Sequence, residues 1–256
     1  MLDPITTIIV LIAVGLGAGT LGSMIGVGGG IIMVPALTFL GLPPAQTASS
    51  SLIAVTSTSV SSTIEYSRQK RIDYRLGLTM SAFAVPGAVL GAILSESLSI
   101  ESFKLYFGIL LMLAGIYVLY KNSILKDSAA KKRSMAYAAV FPATFGAGII
   151  ASLFGVGGGI IFVPLMLLVL GLTMQRAVPT SQLTLMTTSI AGIFAHGLLG
   201  HPDYLQAAAL STGAFAGAQI GARLSRTTKD VLLQRLLGLA LIAVAIELVI
   251  DWFTSR

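Results

Sequence analysis

The sequence predicts an all-α polytopic membrane protein made of two inverted repeats, each of about five helical segments with a short broken helix after the pentapeptide GVGGG. Three observations predict it. The 256 residues are 55% hydrophobic and 10% charged, with a mean hydropathy of +0.91, whereas a soluble domain of this size needs a far more polar surface. Apolar stretches recur at lengths that suit a bilayer. The second half of the chain also repeats the first.

The apolar stretches fall at 5–25, 31–41, 45–66, 76–95 and 103–121, then at 135–155, 160–171, 177–198, 204–224 and 231–251. Most hold about 20 residues, which as helix rising about 1.5 Å per residue cover a hydrocarbon core of about 30 Å. The stretches at 31–41 and 160–171 would reach only about half way across. The N-terminal MLDPITTIIV lacks the cationic start of a signal peptide, so 5–25 reads as a retained span.

The halves match in order and spacing. Gly26-Val27-Gly28-Gly29-Gly30-Ile31-Ile32 recurs as Gly155-Val156-Gly157-Gly158-Gly159-Ile160-Ile161, and Val34-Pro35 as Val163-Pro164. Gly41-Leu42 recurs as Gly171-Leu172, and Asp73-Tyr74 as Asp203-Tyr204. Gly87-Ala88 with Gly91-Ala92 recurs as Gly217-Ala218 with Gly221-Ala222, and the offset stays at 129 to 130 residues throughout. This is an internal duplication. It divides the chain into a first membrane repeat over 1–121, a cytoplasmic linker over 122–134 and a second membrane repeat over 135–256.

Loop charges give the orientation. The loop after 45–66 holds Arg68, Lys70, Arg71 and Arg75, while its counterpart around His201-Pro202-Asp203 holds no Lys or Arg. One loop later the bias reverses: Glu96 and Glu101 with Lys104 in the first half, Arg223, Arg226, Lys229 and Arg235 in the second. The linker adds Lys121, Lys126, Lys131, Lys132 and Arg133, so thirteen of the sixteen basic residues lie in three loops. Basic loops stay cytoplasmic, which inserts the halves in opposite senses and puts both termini outside. Inversion needs five crossings per half. A re-entrant short segment would instead give four crossings and parallel repeats.

The glycine runs are the first candidate for function. Glycine inside a helix costs about 1 kcal/mol relative to alanine, so four in five residues end one helix and start another. A broken backbone is tolerated in lipid only where protein or trapped water satisfies it. The new helix presents free N–H groups and a positive dipole end, which suit an anion. Discontinuous helices at equivalent places in two inverted repeats point to a transporter binding site. The structural alternative is that the glycines only allow close helix packing.

The stretches that follow are rich in neutral hydrogen-bonding side chains. Gln46, Ser49, Ser50 and Ser51 open one copy, and Thr180, Ser181 and Gln182 open the other. Hydroxyls and amides can donate to an anion at moderate burial cost, or bond their own or a neighbouring helix. For the later hydroxyls of both segments the second reading is favoured. His196, near the end of 177–198, is the candidate proton relay, with an interfacial polar role as the alternative. Glu65 and Glu247 lie near span ends and reach interfacial water. Arg176 reads as a cytoplasmic anchor.

Several chemistries are excluded. There is no cysteine, so no disulfide, thiolate metal site or cysteine nucleophile exists. Gly17-x-Gly19-x-x-Gly22 and Gly146-x-Gly148-x-x-Ala151 fit the dinucleotide pattern but lie inside spans without the strand–helix context it requires. Gly87-x-x-x-Gly91 and Gly217-x-x-x-Gly221 read as close helix contacts. No Walker A motif, HExxH or carboxylate cluster appears, so an enzyme is not expected, nor a metal or other cofactor. The net charge of +6 marks topology, not a nucleic-acid surface.

The doubled GVGGGII(M/F)VP, the Ser/Thr/Gln-rich helix after it, and the later Asp-Tyr and GAxxGA elements resemble the TauE/SafE sulfite exporter family over nearly the whole chain. The resemblance implies a multi-pass protein of the plasma (inner) membrane that exports small sulfur-containing oxyanions such as sulfite or organosulfonates, with no cofactor. By position it carries the family's glycine motif onto Gly26–Gly30 and Gly155–Gly159, and its polar helix start onto Ser49–Ser51 and Thr180–Gln182. The first half departs by having Ala48-Ser49-Ser50 where a Gly-Thr-Ser type sequence is common. The expected partners are a small anionic substrate and the lipid bilayer, with a homo-oligomer left open. The expected substrate-binding residues are Gly28, Gly29, Gly30, Gln46, Ser49, Ser50, Ser51, Gly157, Gly158, Gly159, Thr180, Ser181 and Gln182, in a carrier that alternates access around a midplane site. An anion channel, or a membrane scaffold or sensor subunit without flux, are the alternatives.

Overall fold

The computed structural model describes residues 3–97, 99–120 and 133–254. Among these the chain forms ten α-helices, one 3-10 turn and no strand. The first half contains α1 (Pro4–Ile25), α2 (Gly30–Phe39), α3 (Pro44–Arg68), α4 (Tyr74–Leu94), the 3-10 turn Ser95–Ser97 and α5 (Ile100–Tyr120). The second contains α6 (Arg133–Phe154), α7 (Gly159–Leu168), α8 (Met174–Leu198), α9 (Tyr204–Thr227) and α10 (Asp230–Thr254). Each apolar stretch of the sequence is one helix. α6 begins at Arg133, two residues before the expected second repeat; linker residues 121–132, with four of the lysines counted above, lie outside the described residues.

Local chemistry sets the boundaries. Pro4 and Pro44 open their helices, where a missing N–H costs nothing. Asp73 and Asp203 cap α4 and α9: the Leu76 N–H donates to Asp73 Oδ1 at 3.0 Å and the Gln206 N–H to Asp203 Oδ1 at 3.1 Å. Among the described residues, Ile5–Ile25 and Tyr74–Leu94 are both long and apolar enough to cross a membrane, with window hydropathies of 2.2 and 1.8.

Packing ties each half to the other. α1 lies on α9, α6 lies on α4, α3 lies on α9, and α8 lies on α4, while α3 pairs with α8 and α5 with α10. Exchanging the halves leaves this pattern unchanged, as a two-fold relation requires. Small residues permit it. Gly213, Gly217 and Gly221 of α9 face Ile12, Leu16 and Thr20 of α1 so closely that an added Cβ would stand 2.0 to 2.1 Å from a carbonyl oxygen. Gly87 and Gly91 of α4 meet Phe145 and Ile149 of α6 in the same manner, at 2.2 Å. The GAxxGA elements are thus backbone-to-backbone contacts.

The same contacts fix helix direction. Numbers rise together along α1 and α9, and along α4 and α6. They also rise together along α3 and α9, where Ser57 donates to Ser211 O and Ser61 to Phe215 O. α8 runs with α4, since Thr184 donates to Gly77 O and Thr187 to Ser81 Oγ. α3 and α8 are antiparallel, with Leu52 at Gly192 and Thr56 bonded to Ser189. α5 and α10 are antiparallel too, with Gly108 at Val249 and Leu119 at Gly238. Consequently α1, α3 and α9 run one way, α4, α6 and α8 run the other, and each of these long helices opposes its counterpart in the other half.

α1 and α3 share a direction because the glycine break and α2 bring the chain back between them. Each half therefore has five legs and starts and finishes at opposite ends of the bundle, which is the parity that inversion needs. These directions gather the basic residues. The C-terminal ends of α3 and α9 and the N-terminal ends of α4, α6, α8 and α10 meet at one end, carrying Arg68, Lys70, Arg71, Arg75, Arg133, Arg176, Arg223, Arg226, Lys229 and Arg235. The starts of α1 and α5, the 3-10 turn and the α8–α9 connection form the other end, with Asp3, Glu96, Glu101, Lys104, His196, His201 and Asp203.

Candidate binding site

Both GVGGG runs are fully buried, and they touch each other. In each, three glycines adopt left-handed backbone: Gly26, Gly28 and Gly29 at φ 84°, 82° and 85°, and Gly155, Gly157 and Gly158 at 74°, 80° and 81°. A side chain in that conformation costs about 1–2 kcal/mol per residue. The last glycine of each run starts the new helix with ordinary φ, and its constraint is space. A Cβ on Gly30 would lie 2.6 Å from Val156 Cα, and one on Gly159 would lie 2.6 Å from Val27 Cα. The density of glycine thus has two causes, conformation at three positions and contact with the opposite break at one.

The breaks meet halfway along the bundle. Gly28 and Gly157 both sit against Val55 and Leu185, each the twelfth residue of a 25-residue helix. From here α2 and α7 run to opposite ends, so their N-termini meet near the centre. The first N–H groups of a helix have no acceptor within it, so the starts of α2 and α7 bring donors that need acceptors from outside their own helices. Packing is close: the void against the first break, lined by Gly22, Val27, Gly29 and Ile31 among others, is about 10 Å³.

Polar side chains strap the breaks across the two halves. Ser51 Oγ on α3 donates to Gly155 O at 2.8 Å, and Ser181 Oγ on α8 donates to Gly26 O at 2.8 Å. These are equivalent bonds exchanged between repeats. Gln182 Nε2 donates to Gly22 O at 3.1 Å, while its Oε1 is buried without a hydrogen-bond partner. Leu52 occupies the equivalent position in the first half. The centre is therefore asymmetric at this pair, with an unsatisfied acceptor on one side, a state usually resolved by water or a guest.

The other sequence candidates are distributed differently. Ser50 Oγ and Thr180 Oγ1 accept from the N–H groups of Asp203 and Asp73, each at 3.0 Å, so they secure the caps of α9 and α4 at opposite ends. Ser49 donates to Gln46 O within its own helix, and Gln46 is exposed in the first turn of α3. His196 lies at the end away from the basic loops. Of the later hydroxyls, Thr58, Ser59, Ser62 and Thr188 bond their own helix and Ser57 and Ser61 a neighbour, while Thr63 Oγ1 is buried without a hydrogen-bond partner. Asp73 and Asp203 are caps that the sequence reading left without a role; a capping residue just before an apolar run is the signal that finds them.

The basic end carries a polar network around Arg71. Its guanidinium donates to Gln69 Oε1 at 2.8 Å, to Gln175 O at 3.1 Å and to Ser225 Oγ at 3.2 Å, and it also bonds Gln175 Oε1. Glu65 receives Arg223 at 3.7 Å and Arg68 at 4.0 Å. A separate open cleft of about 540 Å³, lined by Asp73, Arg75, Thr79, Phe141 and Leu172 among others, lies at this end between α4, α6 and the α7–α8 connection, away from the breaks. Among the described residues no group of three or more His, Asp or Glu side chains could hold a metal ion.

Relatives share this sequence over its length. Residues 11–248 match the family described as Sulfite exporter TauE/SafE. The chain is 31% identical over 270 residues to the "Probable membrane transporter protein YunE" of Bacillus subtilis, covering 96% of this chain and 99% of the relative. It is 26% identical to the "Probable membrane transporter protein YdhB" of the same organism, covering 84% and 89%. It is 25% identical to the "Probable membrane transporter protein YfcA" of Escherichia coli K12, covering 94% and 89%. No solved structure matches. An all-helical apolar chain, duplicated, broken at paired glycines and matched over nearly its full length, belongs to the TauE/SafE family of membrane transporters and is not an enzyme.

Proposed function

We propose that the protein carries a small sulfur-containing oxyanion, such as sulfite or an organosulfonate, outward across the plasma membrane by alternating access around the paired glycine breaks. One observation carries the reading: two helix N-termini from oppositely directed halves meet at the middle of the bundle beside Gln182 and the serine straps. Each N-terminus favours an anion by about 0.3–1 kcal/mol at exposed sites and up to about 2 kcal/mol when partly buried. The breaks are in contact, so binding requires them to part, and exchange between two such states is the motion that alternating access needs. The anion-contacting set is then Gly28, Gly29, Gly30, Ser51, Gly157, Gly158, Gly159, Ser181 and Gln182. With the basic end in the cytoplasm, both termini lie outside and the chain crosses several times.

The test is flux in proteoliposomes with sulfite, an organosulfonate, sulfate and chloride compared. Saturable sulfite or sulfonate flux above empty liposomes is the expected result. No anion flux under any gradient overturns the carrier and leaves a scaffold or sensor subunit. Single-channel currents would replace the carrier by a channel.

A further inference from the structure

The duplication pairs Tyr66 with His196 and Arg71 with His201 at an offset of 130, and Ser23 with Ser152 at 129. The contacts are paired as well. Tyr66 Oη donates to Ser23 O at 2.8 Å, and the Arg71 guanidinium lies 5.2 Å from the Tyr66 ring centroid. At the opposite end His196 Nε2 lies 3.1 Å from Ser152 O, and the His196 and His201 ring centroids are 5.2 Å apart. Their Nδ1 atoms are 2.9 Å apart. Tyr66 and His196 are both fully buried. Each end of the bundle therefore has the same strap, from the last turns of a 25-residue helix to a carbonyl three residues ahead of a glycine break.

The chemistry of the two straps differs. Neither a phenol nor a guanidinium changes charge between about pH 5 and 8, whereas an imidazole does. A carbonyl oxygen only accepts, so His196 Nε2 carries the hydrogen that faces Ser152. The neutral His196 ring then has a lone pair on Nδ1, which accepts from His201 Nδ1–H, with His201 neutral or cationic. One added proton leaves an N–H···N bond in place, whichever ring holds it; a second makes both rings cationic, sets two N–H groups face to face across the 2.9 Å contact, and the contact must open. The charged residues that the helix directions bring to this end are Asp203, whose Oδ1 caps α9, Glu96 on the 3-10 turn, and Asp3, Glu101 and Lys104 at the starts of α1 and α5. α8 itself has no other titratable side chain at this end.

We propose that the His196–His201 strap is a proton-operated gate at the end opposite the basic loops: proton uptake from the aqueous phase at that end, until both rings are cationic, parts them and frees the α8–α9 connection that carries His201. The Tyr66–Arg71 strap closes the other end independently of pH. The gate rests on the transport reading above and deepens it.

Because the chain has no cysteine, a single reporter can be placed at Ser49, a buried residue near this end of α3. Labelling of Ser49→Cys by an impermeant thiol reagent applied from this side is measured in proteoliposomes, normalised to an exposed cysteine at Ser97. Between about pH 7.5 and 5.5, the range in which imidazoles change charge, the normalised rate should rise as the pH falls. In the H196Y/H201R background, which rebuilds the other strap, it should stay flat. His196→Gln, whose amide can still donate to Ser152 O, is the second variant and should also be flat. A flat response with the native pair, or a rise that persists in either variant, overturns the gate. A gated response in a protein that moves no anion overturns the transport reading and leaves the gate standing.

Discussion

Gly30→Ala is a methyl-sized wedge whose effect can be worked out in advance. Gly30 has ordinary helical backbone, so the substitution carries no conformational penalty and gains about 1 kcal/mol of helix propensity. Its cost is steric. The new Cβ stands 2.6 Å from Val156 Cα and 2.9 Å from Gly155 O, both backbone atoms of the opposite break. Neither can swing aside as a side chain does, so the two breaks must separate by several tenths of an ångström or more. Overpacking of this kind costs about 1–3 kcal/mol. Two controls isolate the term. Gly41→Ala meets nothing within 4 Å but sits at φ 82°, so it carries the conformational cost alone, about 1–2 kcal/mol. Gly17→Ala meets nothing within 4 Å in ordinary helix and should be neutral or slightly stabilising. Thermal unfolding in one detergent should place Gly17→Ala highest and Gly41→Ala below it. Gly30→Ala and its equivalent Gly159→Ala should both fall well below Gly17→Ala and lose anion flux. If Gly30→Ala unfolds where Gly17→Ala does, the breaks are not in contact in the folded protein, and the midplane reading loses its foundation.

Ser51→Ala and Ser181→Ala each leave a buried carbonyl of the opposite break without its donor. Each should cost about 1–3 kcal/mol, and because they act on touching breaks the double variant should depart from additivity in a thermal or denaturant assay. Gln182→Leu copies the first-half residue Leu52 and removes the unsatisfied Oε1. Unfolding should shift by no more than about 1 kcal/mol, while anion flux should fall at least about tenfold, the effect of about 1.4 kcal/mol of lost binding; unchanged flux would remove Gln182 from the site. Single cysteines at Ser97 and Lys229 should label from opposite sides of the membrane, and same-side labelling would rule out inverted insertion.

Much of the fold was legible from the chain alone because membrane helices announce themselves by composition and because duplication doubles every signal. The ten apolar stretches, the short second and seventh helices and the GAxxGA contacts all have the form that the sequence predicts. The glycine runs were found for the right reason, a broken helix, yet their density has a cause that spacing does not reveal: three positions need left-handed backbone and one faces the other break. The polar candidates were less legible. Ser49, Ser50 and Ser51 are adjacent in sequence, but a helix turns about 100° per residue. They therefore face their own helix, the cap of α9 and the opposite break respectively. Only a three-dimensional contact separates Ser51 from its neighbours.

What the duplication does not copy carries the most weight for a vectorial protein. If two inverted halves were identical, the conformation open to one side and the conformation open to the other would be related by symmetry and equal in energy. Any preference must then come from positions where the halves differ. At the centre one such difference is Gln182 against Leu52, an unsatisfied amide in one half alone. At the ends it is His196 and His201 against Tyr66 and Arg71, straps with the same attachment points and different proton chemistry. A bias of 1.4 kcal/mol between the two states changes their ratio about tenfold, and one or two hydrogen bonds of the kind found in these straps supply that much. Direction and drive in this protein are therefore to be sought at these departures from equivalence, and substitutions that restore the symmetry should change the balance of access before they change the fold.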